Sequence, residues 1–333
     1  MALHERVLPP TLVEEPNAAV RDRAIPFYLN TRARPWLQSN PEPRRAAVSA
    51  FGFGGTNFHA VQEECPQRAG ALSDRRAELL VLREASRAAL AERLASLAHA
   101  LASSKDIRLV DLAAALQRRA AEARGACRLA IVATGMDDLR SLLIATAQTL
   151  RGDAIFSDAG RVAYSESPSS TVAVAFLFPG QGSQYLNMLE DLALHFPLVR
   201  EVFEQADRVL AGVLPLPLSR VIFPPPAYSP AEEAEQRRAL DQTWLAQPAL
   251  GAADFALSSL FRDVGIAPDM VGGHSYGEYV ALCAGGSLTF PELIRISERR
   301  GRVIQETQGR DAIGMVAVRA NTDALADVLA GSR

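Results

Sequence analysis

Ser275 stands between two glycines in Gly273-His274-Ser275-Tyr276-Gly277. That spacing belongs to a serine raised on a sharp strand-to-helix turn, where small flanking residues let the chain double back. A serine hydroxyl is a weak nucleophile at neutral pH and needs a base to take its proton. Taken alone the pattern is weak, because glycine and serine are common residues. Its setting strengthens it: apolar Met270-Val271 comes before and the helix-forming EYVALCAGG after. A second motif, FPGQGSQ at 178–184, also follows an apolar run directly. Its glycines permit a bend that turns backbone N–H groups into a cavity, as a developing oxyanion requires. Either motif by itself is equally a plain turn. Two of them, at the ends of two apolar strands, point to chemistry through a serine ester.

The candidate bases are His4, His59, His99, His195 and His274. His99 lies beside the apolar face of an expected helix and suits a packing or surface role. His274 adjoins the serine, and a neighbour on a strained turn points elsewhere, so a structural or pocket-lining role is expected. The three cysteines, Cys65, Cys127 and Cys283, share no metal-ligand spacing and are expected to be reduced thiols, with no metal site.

The elements that must position these residues read as α/β. Ala47 to Ala50 and Phe58 to Gln62 read as short strands around GFGGTN. Residues 67–165 are rich in Ala, Leu, Arg and Glu, with a strand at Leu79 to Leu82 and a helix carrying Leu90, Leu94, Leu97 and Leu101. A helix at Leu109 to Leu116, a strand from Arg128 and a helix through Leu139 and Leu150 follow. TVAVAFLF, from Thr171, suits a strand buried on both faces. Helices are expected near 184–194, 198–211 and 248–263, then after Ser275 and around Arg300. A strand at Gly314 to Val318 and a helix near Thr322 to Leu329 close the chain.

With 333 residues, 48% hydrophobic and 22% charged, the chain has the profile of a folded, soluble protein. A formal net charge of -3 gives no reason to expect nucleic acid or an anionic membrane as partner. No apolar run reaches membrane-spanning length and the N-terminus lacks a signal pattern, so a cytoplasmic location is expected.

FPGQGSQ, TWLAQPAL (243–250), GGHSYGEYVALCAGG (272–286) and ERRGRVIQ (298–305), in that order and spacing, resemble the acyltransferases that load malonyl groups from coenzyme A onto acyl carrier proteins. The resemblance covers roughly residues 171–333. AFGFGGTNFHAVQEE (50–64) resembles the closing motif of a β-ketoacyl synthase, and the region 67–170 is similar to the linker domain between ketosynthase and acyltransferase in polyketide synthases. IPFYLNTRARPW (25–36), with GHSYGEY (273–279), leans towards the iterative enediyne or polyunsaturated-fatty-acid type.

The resemblance implies three regions. Residues 1–66 would be a ketosynthase remnant and 67–170 a small α/β linker domain. Residues 171–333 would be an incomplete α/β-hydrolase-like acyltransferase core with the start of a ferredoxin-like subdomain. It implies Ser275 as the acyl-accepting nucleophile, and the backbone N–H groups of Gln181 and Tyr276 as the oxyanion hole. Arg300, 25 positions after the serine, would bind the malonyl carboxylate through two parallel charge-assisted hydrogen bonds. Gln247 and His274 would line the acyl pocket, and the Tyr276 side chain could bear on extender choice. No bound cofactor is implied; malonyl-CoA is the substrate, and phosphopantetheine is carried by the partner carrier protein. The ketosynthase domain is a further partner, in a homodimeric parent. In that family the catalytic histidine lies well downstream of the serine, beyond Arg333, and His195 occupies a position not reserved for catalysis. The base is therefore expected to be missing, and the chain to be an inactive fragment. Two other classes compete: a serine hydrolase or thioesterase, which needs neither Arg300 nor GQGSQ, and a non-catalytic scaffold piece.

Overall fold

The computed structural model describes residues 2–13, 16, 17, 20, 27–40, 42–65, 76–103, 106–152, 160–166 and 173–308. The chain separates into two units, one made of Met1–Ala71 with Val174–Arg333 and the other of Leu72–Ala173. The expected strand at 314–318, the helix at 322–329 and the ferredoxin-like start that they imply lie outside the described residues.

The first unit begins with α1 (Ala2–Glu5), then β1 (Val7–Leu8) paired antiparallel with β2 (Arg34–Pro35). A hairpin of β3 (Arg45–Phe51) and β4 (Asn57–Glu63) follows, turning at Gly55, whose φ of 87° favours glycine. Every residue of the hairpin strands except Ala46 is exposed. What fixes this segment is charge rather than apolar area. Arg44, 5% exposed, donates from Nη1 to Glu64 Oε2 at 2.8 Å, from Nε to the Trp36 carbonyl at 2.8 Å and from Nη2 to Glu204. Burial acts to raise Glu64, but the hydrogen bonds from Arg44 outweigh it and hold that carboxyl below its ordinary value.

The second unit has its own apolar cluster. β5 (Glu78–Glu84), β6 (Cys127–Ala133) and β7 (Val162–Ser165) form an antiparallel sheet in the order β5-β6-β7. In β6 the residues Cys127, Leu129, Ile131 and Ala133 are buried and their neighbours are not, the period-2 pattern of a sheet covered on one face. α2 (Arg87–Ser103) and α4 (Met136–Arg151) pack their leucines into this cluster, and α3 (Leu109–Glu122) adds Leu116. β7 was not anticipated: at four residues VAYS is too short for an alternating pattern to stand out.

The rest of the first unit is helical around one parallel strand pair. β8 (Ala175–Phe178) leads to α5 (Glu190–His195), α6 (Pro197–Val209), α7 (Leu218–Ile222), α8 (Pro230–Leu240) and α9 (Thr243–Asp263). β9 (Met270–Gly273), α10 (Gly277–Ala284) and α11 (Phe290–Gln308) complete the described part. β8 and β9 pair in register from Ala175↔Met270 to Phe178↔Gly273, so both strands end at the same level. The sequence suggested a first strand buried on both faces. Instead Leu177 is 79% exposed, because among the described residues β8 has one strand neighbour and packs on helices from one side. α9 begins five residues before the expected start, runs through Pro248 and is buried over most of its middle. Alanine and glycine there let α6, α10 and α11 approach closely.

Candidate active site

The common end of β8 and β9 decides what meets at the site. Past Phe178 the chain turns through Pro179 and Gly180, and past Gly273 it turns through His274 to Gly277, so the two turns leave the sheet side by side. This is the carboxyl edge of parallel strands, where open α/β sheets bind ligands. The His274 N–H donates to the Phe178 carbonyl at 3.0 Å, tying one turn to the other. The Gly277 N–H then closes the bend on the His274 carbonyl at 2.9 Å.

Ser275 sits at φ 54°, in the left-handed region, and is exposed. A non-glycine residue pays for that conformation, so the surrounding turn must impose it. The glycines show how. A Cβ on Gly273 would strike the Gly277 backbone, and one on Gly277 would strike the carbonyls of Phe178 and Pro179. A Cβ on Gly180 would lie 2.9 Å from the His274 carbonyl oxygen, 3.0 Å from its Nδ1 and 3.3 Å from Ser275 Cβ. Both motifs singled out in the sequence therefore touch each other at the serine.

Gln181 is exposed at the same edge, its side chain fixed from two sides. Its Nε2 donates to Thr243 Oγ1 at 3.2 Å, and its Oε1 accepts from Gln247 Nε2 at 3.1 Å. Gln247, 1% exposed, thus stands behind Gln181, and its own Oε1 has no hydrogen-bond partner among the described residues. The loop is also clamped by Gln184, which accepts from the Gly182 N–H at 2.8 Å and donates to Asp241 at 2.9 Å. Among the described residues, neither the Gln181 nor the Tyr276 backbone N–H has an acceptor. These are the two amides expected to meet an oxyanion.

The Tyr276 side chain does not face the site. It is fully buried, its hydroxyl 2.6 Å from Ser297 Oγ, in a notch that Gly251 leaves in α9. The ring belongs to the core beneath the serine turn. Arg300 is half-buried, with its guanidinium 5.3 Å from the ring centroid of Tyr279 in the first turn of α10. No carboxylate pairs with it among the described residues. Its neighbour Gly301 has no room for a side chain against the α9 backbone at Thr243 and Trp244, so α11 lies tight on α9 there. His274 is exposed. No histidine ring hydrogen-bonds Ser275 among the described residues.

Sequence reasoning missed Thr243, Asp241 and Gly251. Their roles depend on which helix lies under which loop, and no local pattern encodes that. Asp254 was missed as well. It is 8% exposed, its Oδ2 has no hydrogen-bond partner among the described residues, and burial pushes it up to about 7.

Residues 175–329 match the acyl transferase domain family, and residues 16–127 match the ketoacyl-synthetase C-terminal extension. Polyketide synthase GfsA from Streptomyces halstedii is 33% identical over 99% of this chain, which spans 4% of that relative. A polyunsaturated fatty acid synthase component from a Thraustochytrium species is 31% identical over 94% of the chain, which spans 12% of it. The solved acyl transferase domain of ZmaA superposes with a TM-score of 0.60 at 25% identity, covering 70% of this chain and 49% of that one. That of SpnD, in complex with 2-(pent-4-yn-1-yl)malonyl, gives 0.54 at 25% identity, covering 71% and 51%. The fold is α/β, and the chain carries an acyl transferase domain region behind a ketosynthase C-terminal extension. Its relatives are polyketide synthases, with a polyunsaturated fatty acid synthase among them.

Proposed function

We propose that residues 171–333 take a malonyl-type group from coenzyme A onto Ser275 and pass it to the phosphopantetheine thiol of an acyl carrier protein. The observation that carries this is the exposed Ser275 at φ 54°, touching the Gly180 turn, with the free amides of Gln181 and Tyr276 beside it. The Ser275 oxygen attacks the thioester carbonyl, and the two amides hold the tetrahedral oxyanion. Its collapse expels the coenzyme A thiolate and leaves the serine ester. The carrier thiol then attacks that ester and restores the hydroxyl. Arg300, without a carboxylate of its own among the described residues, is the group for the free malonyl carboxylate. The malonyl derivative bound in the SpnD structure supports this substrate class.

The attacking serine must lose a proton. No imidazole among the described residues hydrogen-bonds to Ser275, and over the whole step its proton ends on the expelled coenzyme A thiol. The ketosynthase partner, homodimeric assembly and a cytoplasmic location complete the proposal. Among the described residues no helix is long and apolar enough to cross a membrane.

Intact mass spectrometry after incubation with malonyl-CoA tests the reading, on the chain itself and on a parent that includes it. A malonyl adduct that is absent in Ser275→Ala supports the transferase, and no adduct on either supports the inert scaffold piece. Arg300→Ala should reduce malonyl loading by roughly a hundredfold and acetyl loading by far less, since a charge-assisted bidentate pair contributes about 3 kcal/mol. Equal losses for both acyl groups would remove the carboxylate role. Steady release of free malonate without an adduct would indicate a hydrolase.

A further inference from the structure

Arg34 presents a problem of charge that the Ser275 site does not explain. It is 4% exposed, and no carboxylate pairs with it among the described residues. Its Nη1 donates to the Tyr28 hydroxyl at 3.1 Å and its Nη2 to the Phe223 carbonyl, while Nε has no acceptor among the described residues. A buried guanidinium left with neutral partners and an unmade hydrogen bond is costly. The charges around it do not relieve this. Burial lowers the Arg34 pKa first; Arg32 and Arg220 lower it further, and Tyr28 and Glu190 oppose them. Glu190 is itself engaged by Arg32 at 3.1 Å.

Beside Arg34 lies a cavity of about 310 Å³, lined by Arg34, Arg220, Tyr28, Trp36 and Phe223 among others. Arg220 is exposed and, like Arg34, pairs with no carboxylate among the described residues. The Tyr28 hydroxyl accepts from Arg34, so its own proton is available to donate. Two guanidinium groups and a phenol around one void form a donor-rich lining, which suits an occupant that only accepts.

We propose that this cavity binds a dianionic phosphate group between Arg34 and Arg220. A tetrahedral dianion can accept from two guanidinium groups at once and still take a phenol hydrogen, whereas a carboxylate satisfies one arginine fork. The phosphate is either inorganic or carried as an ester on a nucleotide such as the one in coenzyme A. None of the lining residues belongs to the serine turn or to the Gly180 turn, so the site stands apart from the acyl-transfer reading.

Isothermal titration calorimetry on the 333-residue chain, in chloride buffer of matched ionic strength, tests it with inorganic phosphate and with adenosine 3′,5′-bisphosphate. Saturable binding is expected for at least one. Equal affinities identify free phosphate as the ligand, and a tighter bisphosphate identifies the ester. Melting temperature should rise by about 2–4 °C when the tighter ligand is near ten times its Kd. Arg220→Ala, a change at an exposed position, should weaken binding about tenfold or more while leaving the ligand-free melting temperature in place. Arg34→Lys, which keeps a charge but loses the fork, should weaken it comparably. No saturable binding of either ligand overturns the proposal. So does undiminished binding in Arg220→Ala, or acetate binding as tightly as phosphate, which would make the occupant a carboxylate.

Discussion

Ser275 holds a left-handed backbone that costs an L-residue about 1–2 kcal/mol relative to glycine. The strain lifts the hydroxyl clear of the turn, and the close-packed glycines on either side prevent its relaxation. Ser275→Gly should therefore be more stable than Ser275→Ala by about 1 kcal/mol, although neither can be acylated; chemical denaturation compares them. A reversed order would mean that the turn is not strained. Asp254 stores energy differently. Its unfolded-chain value near 3.8 is pushed up to about 7 by burial, and Asp207 is pushed up to about 6, again mainly by burial. The folded state thus holds protons that the unfolded state has lost between those values, and stability falls as pH rises from about 4 towards 7. Asp254→Asn removes this cost. Its stability advantage over the wild type should be larger at pH 8 than at pH 5 by about 2 kcal/mol, measured by urea melts at both pH values. A gap that does not change with pH would mean Asp254 is charged throughout.

Among the elements, α9 holds the most together. Its first two turns supply Thr243 and Gln247 to fix Gln181, its Gly251 admits the Tyr276 ring, and its N-terminal backbone meets Gly301 of α11. One helix thus sets the oxyanion loop, the residue after the nucleophile and the helix bearing Arg300. α6 plays a comparable part for the N-terminal segment through Glu204, which receives Arg44 and also accepts from the Gln38 N–H at 3.1 Å. Removing Arg44 would leave Glu204 and Glu64 partly buried without their main partner. Arg44→Ala should cost about 3–5 kcal/mol in urea unfolding, and Glu204→Gln in the same chain should recover part of it. An Arg44→Ala loss under about 1 kcal/mol would show that the cluster does not anchor the segment.

In the whole molecule, each unit gathers its own apolar cluster. Among its described residues the Leu72–Ala173 unit has a three-stranded sheet and three helices over leucines that are almost wholly buried, enough for independent folding at about 100 residues. Expressed alone, it should unfold in a single cooperative thermal transition by circular dichroism. A broad, non-cooperative melt would show that it depends on the remaining chain. The first unit is discontinuous: the chain leaves it at Ala71 and re-enters it at Val174, after the second unit has intervened. Sequence order alone would not suggest that Arg44 and Glu204, 160 positions apart, form one buried ion pair.

Much of this was legible in the residues themselves. The strand-turn-helix around Ser275, the bend at FPGQGSQ and the amphipathic helices of the second unit follow from glycine placement and apolar periodicity, which act over a few neighbours. The α/β class followed for the same reason. Three-dimensional packing decided the rest: the Tyr276 ring buried rather than presented, Gln247 standing behind Gln181, the exposed face of β8, and Arg34 enclosed beside a cavity. Each depends on which distant surface covers a side chain, and burial is a property of the assembled core that no short window of sequence contains.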